Sequence, residues 1–236
     1  MHLARHALAV FVTVSAIQVQ AADLLTNGGF ETGDFTGWTA NTKTGSNGDL
    51  SVQSLMTGPH SGLSNAGPSA GQFFALSDQT NPGTYALTQA FTVASGTTSV
   101  IFKFDLFANN YANSTIVDPI GLDHTGPANQ HVRVDLLTGT ADAFDTGAGV
   151  LGNFYLGADA GSNPNPWTSY SFDLTSLAGA GGTYQIRFAE VDNQNFFNMG
   201  VDNVSINVAA VPEPGTYALM LAGLAGVGFV ARARRR

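Results

Sequence analysis

Apolar and polar residues alternate over eight stretches of the chain: 50–56, 73–76, 85–93, 99–107, 132–137, 169–174, 184–191 and 200–208. A period of two sends successive side chains to opposite faces of a strand, so each stretch is expected as a β-strand with one face buried. Clusters of Gly, Asn, Pro and Asp separate the runs, and these are the residues that turn a chain between strands. The pattern predicts eight to ten strands and no amphipathic helix, hence an all-β protein built as an antiparallel β-sandwich of jelly-roll type. No unit of 20 to 50 residues repeats, which argues against solenoids and propellers. Two long connections, 108–130 and 139–166, lack firm periodicity; the first is rich in Asn, Pro and Gly, and loops of that length commonly carry function or move.

The two ends break the pattern. Residues 1–22 begin with Arg5, run apolar from Ala7 to Ile17 and finish on the small-residue site Val19-Gln20-Ala21, as a cleaved secretory signal does; a first strand or helix of the fold is the alternative. Residues 23–211 are expected as the exported domain. At residue 212 the sequence Pro212-Glu213-Pro214 interrupts any incoming structure, and the apolar run 217–231 ends in Arg232, Arg234, Arg235 and Arg236. That run is short for a membrane span, although terminal arginines can reach the interface and hold the cytoplasmic side. These three parts in this order resemble the PEP-CTERM sorting signal of exopolysaccharide-producing Gram-negative bacteria. The resemblance implies a route: export, retention in the inner membrane by the C-terminal helix, processing by an exosortase, and release to the cell surface or biofilm matrix. A plain permanent anchor is the alternative that hydropathy leaves open.

Charge and composition then narrow the partners. The chain of 236 residues has 28 Gly, 16 Phe, no Cys and a charged fraction of 11%. Without Cys there is no disulfide, no thiolate nucleophile and no Cys-bound zinc. Residues 23–211 hold four basic side chains (Lys43, Lys103, Arg133, Arg187) against sixteen acids, a net of −12. Nucleic acid is therefore not an expected partner, because phosphate binding runs on Lys and Arg.

The domain's own ends carry a second resemblance. Asn27-Gly28-Gly29-Phe30-Glu31 with Trp38 near the start, and Val201-Asp202-Asn203-Val204-Ser205-Ile206 near the finish, resemble the galactose-binding-like jelly rolls of carbohydrate-binding modules. In that family the matching acids hold a structural calcium, which implies Glu31 and Asp202 as side-chain ligands, with backbone carbonyls around Gly29 completing the shell. Strand parity puts Asp202 on the inward face with Val204 and Ile206, where a carboxylate needs a partner, and the first and last strands of a sandwich can be neighbours. The alternative is a pair of solvated or turn-bonded acids.

Catalytic chemistry has little support. There is no Gly-x-Ser-x-Gly elbow and no His-Glu-x-x-His, and the three histidines of the domain, His60, His124 and His131, pair with no nucleophile motif. Asp123, His124 and His131 offer at most an opportunistic metal site. Glu190 and Asp192 stand at a strand end as the one carboxylate pair a glycoside hydrolase would use; the alternative is that Glu190 pairs with Arg187, Lys103 or a turn amide. Gly147 to Gly152 matches a dinucleotide pattern by letter without its strand-to-helix setting, and is expected as a flexible loop. Sugar binding needs aromatic faces beside amide or carboxylate groups, for which Trp167, Tyr170, Tyr111 and Asn195 are the candidates, while Trp38 is expected to cap the core. The reading is of a non-enzymatic exported protein that associates with exopolysaccharide. A matrix protein assembling through protein contacts and a secreted glycan-active enzyme are the alternatives.

Overall fold

The computed structural model describes residues 22–111, 116–117, 121–159, 163–194, 196–209 and 214–233. Residues 21–211 form one compact unit, made of eleven antiparallel strands in two sheets. Sheet A orders β3 (Asp49–Gln53), β4 (Phe74–Asp78), β11 (Phe197–Val208), β6 (Val100–Asn110) and β9 (Thr168–Asp173), with β1 (Ala22–Asp23) also paired to β11. Sheet B orders β2 (Thr39–Thr42), β5 (Gly83–Val93), β10 (Gly182–Asp192), β7 (Gln130–Thr138) and β8 (Val150–Gly157). One short helix, α1 (Thr175–Ala178), follows β9. The first and last strands are neighbours, with Ala22 opposite Val208.

The core lies between the sheets and is aromatic. Phe102 and Phe104 of β6 face Phe188 of β10, with ring centroids 6.2 and 5.3 Å away, and each fully buried ring contributes about 1.5–3 kcal/mol of transfer free energy. Trp38 caps this core as expected: its ring lies 5.5 Å from Phe30 and 6.2 Å from Phe188, and its Nε1 donates to the Asn27 carbonyl. Gly28 is required by close approach, since a Cβ there would overlap the Val204 carbonyl, while the Val204 amide donates to the Gly28 carbonyl at 2.9 Å.

Three strands depart from the sequence pattern. β1 and β2 are short and largely exposed, so they bury no apolar set for a period to reveal. β8 lies inside 139–166, the second stretch expected to be loop. It is an edge strand whose pairing with β7 shifts register twice, between Val134 and Asp135 and between Leu136 and Leu137. Each shift moves side chains to the other face, which erases the alternation. The glycine-rich run expected as a flexible loop leads into this strand and is tied down by Asp145, whose carboxylate accepts from the Gly147 and Gly149 amides at 2.7 and 2.9 Å.

The C-terminal unit is described by α2 (Pro214–Ala233). Among the described residues no helix is long and apolar enough to cross a membrane. Pro212, Glu213 and residues 1–21, on which the sorting motif and the signal fall, lie outside the described residues.

Candidate functional site

Asp202 is buried, but on the other side of its strand from the one parity predicts. The pairing of β11 with β6 slips between Asp202 and Ser205, and Asn203 takes the left-handed conformation at φ 50°. This bulge inverts the alternation: Met199 and Val201 point into the core before it, Val204 and Ile206 after it. Asp202 consequently pairs with Asp105 on the outer face of sheet A and is covered by the segment 67–73.

That covering segment joins the two acids expected to meet. Asp202 Oδ2 accepts from the Ser69 and Ala70 amides at 2.9 and 3.1 Å, and Oδ1 from the Asn203 amide at 2.7 Å. Glu31 accepts from the Gln72 and Phe73 amides at 3.0 Å. Gly29 sits between them: a Cβ there would lie 3.7 Å from Glu31 Cγ and 3.8 Å from Asp202 Oδ1. Gly71, at φ 63°, lets the segment pass against the Glu31 carboxylate. Burial pushes the Asp202 carboxyl up to about 6 against the three backbone donors, and Asp105 adds to the rise. No Lys, Arg or His forms an ion pair with Asp202 or Glu31 among the described residues. Both carboxylates are met by backbone N–H donors and by no cationic side chain, so the turn-bonded alternative accounts for the hydrogen bonds seen. The acids number too few for an all-side-chain site, since no group of three or more His, Asp or Glu able to hold a metal occurs among the described residues; backbone carbonyls would have to complete the shell.

Beside this node the outer face of sheet A carries a cavity of about 370 Å³. Three adjacent strands build it in two rows. Ser171, Lys103 and Ser205 stand side by side across β9, β6 and β11; in the next row Ser169 and Asp202 flank Asp105, and Asn203 of the bulge reaches the Asp105 carboxylate with its side chain. Phe104 and Tyr170 line it from below. Asp105 is held rigidly: Ser169, Ser69 and Asn203 donate to it at 2.6, 2.7 and 2.7 Å. Burial works to raise its pKa, but these bonds outweigh burial and hold the carboxyl below the usual aspartate range. The alternation Lys103-Phe104-Asp105 was visible in the sequence; that Ser169, Ser171, Asn203 and Ser205 flank it depends on the strand order.

The aromatic candidates are engaged in packing. Trp167 packs edge-on against Phe74 and Phe107 at 5.7 and 4.6 Å and donates from Nε1 to the Gly67 carbonyl. Tyr111 donates its hydroxyl to the Ser64 carbonyl at 2.7 Å. Tyr170 stacks on Phe104 at 5.0 Å and meets Tyr155 edge-on. Asn195 lies outside the described residues; its neighbours Asn193, Gln194 and Phe196 line a second cavity of about 180 Å³ with Thr80 and Asp192.

Of the two carboxylates a glycosidase would use, Glu190 is sealed while Asp192 lines the second cavity. Glu190 is fully buried between the sheets, takes the Ser77 hydroxyl, and shares the Gln79 amide with Asp192 at 2.8 and 3.1 Å. Burial pushes its pKa well up. The expected partner Arg187 points the other way, because 187 has the opposite parity to 186, 188 and 190. It is fully buried on the outer face of sheet B, binding Asp135 Oδ2 through Nε and Nη2 at 3.0 and 2.6 Å and the Ala143 and Asp145 carbonyls through Nη1. The histidines do not converge: His60 pairs with Asp49, His124 with the Thr84 hydroxyl, and Asp123 with Lys43. Burial pushes His131 down to about 4.

Comparison with known proteins identifies the PEP-CTERM protein-sorting motif at residues 210–236. No curated protein matches the chain. Among solved structures, the chain is similar to TmCBM61, determined with β-1,4-galactotriose, at TM-score 0.48 and 10% identity over 78% of this chain and 97% of that one. It is also similar to the K3 cleaved adhesin domain of Lys-gingipain from Porphyromonas gingivalis, at 0.49 and 18% over 80% and 99%. A third likeness is to the CBM22-1 xylan-binding domain of Paenibacillus barcinonensis Xyn10C, at 0.43 and 12% over 81% and 97%.

Proposed function

We propose that this is an exported, non-enzymatic protein of a Gram-negative cell surface or biofilm matrix, processed by an exosortase and associated with exopolysaccharide through its β-sandwich. The sorting motif at 210–236 carries the delivery half of this reading. In it, residues 1–22 are removed as a signal, the apolar run 217–231 holds the chain in the inner membrane, and cleavage falls near Pro212-Glu213-Pro214. The polar cavity on sheet A supports the binding half: its hydroxyl, amide, ammonium and carboxylate groups sit on paired strands, where they can take the hydroxyls of a sugar. The sealing of Glu190 at 0% exposure speaks against the glycan-active alternative, which needs both carboxyls in reach of a glycosidic bond. Calcium belongs to the same reading as a structural ion held by Glu31, Asp202 and carbonyls around Gly29, locking the segment 67–73, whose Ser69 hydroxyl donates to Asp105 of the cavity.

Delivery is tested by replacing Pro212, Glu213 and Pro214 with alanine in the producing cell and weighing the protein by intact mass spectrometry. The wild type is expected as a form truncated at both ends, and the variant as a membrane-retained chain that keeps its C-terminus. Identical C-termini in the two would contradict exosortase processing at this motif.

A further inference from the structure

Three of the four basic side chains of residues 23–211 are matched to carboxylates: Lys43 to Asp123 at 3.2 Å, and Arg133 and Arg187 to Asp135 at 2.7 and 2.6 Å. Lys103 is the fourth. It is exposed and forms no ion pair among the described residues. Its strand neighbours on either side are Ser171 and Ser205. Ser205 Oγ accepts from Asn207 Nδ2 at 2.8 Å, which leaves its hydroxyl proton to donate outward. The Asp105 row lies about 7 Å along the strands, two residues away, and three donors already fix its carboxylate. One ammonium flanked by two hydroxyls thus faces solvent beside a preorganised acceptor, within a cavity the size of one or two sugar rings.

We propose that Lys103, Ser171 and Ser205 form a subsite for the carboxylate of a uronic acid residue in an acidic polysaccharide; this rests on the polysaccharide association proposed above and names the class of sugar. The uronate carboxylate accepts from the Lys103 ammonium and the two serine hydroxyls, and ring hydroxyls donate to the remaining lone pairs of Asp105. A charge-assisted bond of this kind favours the acid over its neutral counterpart.

The full chain is titrated calorimetrically with trimers of galacturonate, mannuronate and glucuronate, with neutral galactotriose, and with the producer's own exopolysaccharide. At least one uronate trimer is expected to bind saturably, more weakly at higher salt, and Lys103→Ala is expected to weaken it about three- to tenfold while Lys103→Arg retains it. Because Lys103 is exposed, its removal should leave the thermal unfolding curve unchanged, so lost binding is not lost folding. Uronate affinity indifferent to Lys103→Ala, or galactotriose bound as tightly as every uronate, overturns the subsite. Binding to the exopolysaccharide but to no uronate trimer overturns the subsite and leaves the association standing; binding to neither removes both.

Discussion

Replacing Arg187 with methionine removes about 3–5 kcal/mol of folding stability, a large share of the 5–15 kcal/mol a domain typically has. Arg187 is fully buried, and its guanidinium joins sheet B to the connection that folds over it: two bonds go to Asp135 on β7, two to the carbonyls of Ala143 and Asp145. Methionine fills similar volume but leaves Asp135 buried with only Arg133 as a cation, and leaves two carbonyls without donors. Chemical denaturation reads the loss, and Arg187→Lys should fall between, since an ammonium cannot reproduce the forked contact. A midpoint within error of wild type would show that the cluster is dispensable. The pH dependence has a definite sign. Burial works to raise the Asp135 pKa, but the Arg133 bond and the Arg187 charge outweigh it and hold the carboxyl below the usual aspartate range. The cluster's contribution is therefore complete above about pH 4 and is lost as pH falls through the folded value.

Calcium is expected to raise the melting temperature of the full chain by about 5–10 °C over the same protein in chelator. An ion held at about a hundred times its dissociation constant stabilises by about 2.7 kcal/mol, and for a domain of this size each kcal/mol is worth about 2–4 °C. The structural basis is the convergence of Gly29, Glu31 and Asp202 under the segment 67–73, where a buried carboxylate has backbone donors and no cationic partner. Asp202→Asn should abolish the calcium response; its NH2 would face one of the backbone amides Asp202 accepts from, so the variant is compared with its own melting curve in chelator. Superimposable curves with and without calcium would show that backbone donors alone satisfy the pair, the turn-bonded alternative.

How far the sequence reveals these features depends on whether a single strand or the strand order decides them. Eight strands announce themselves by their apolar runs between turn residues, and Trp38 follows from its place beside the Phe30 turn. β8 does not, since two register shifts at a sheet edge scramble its faces. Asp202 shows how a correct residue can be reached by wrong geometry: parity counted across an unseen bulge aims it inward, whereas it lies on the outer face and is buried by a segment more than 130 positions away in the chain. Arg187 and the Lys103 cavity share the same obstacle. Each is an outward residue on a well-marked strand, but what lies over Arg187 and what flanks Lys103 are set by long-range pairing that no local pattern encodes. Trp167 is conspicuous in sequence beside two prolines, yet its indole goes to Phe74, Phe107 and the Gly67 carbonyl.

The most direct test of the account is co-sedimentation of the purified full chain with exopolysaccharide from the producing cell, across a range of protein concentrations. The account predicts saturable binding that soluble fragments of the same polysaccharide compete away. Binding that never saturates, or none at all, would contradict it and leave a matrix protein held by contacts with other proteins.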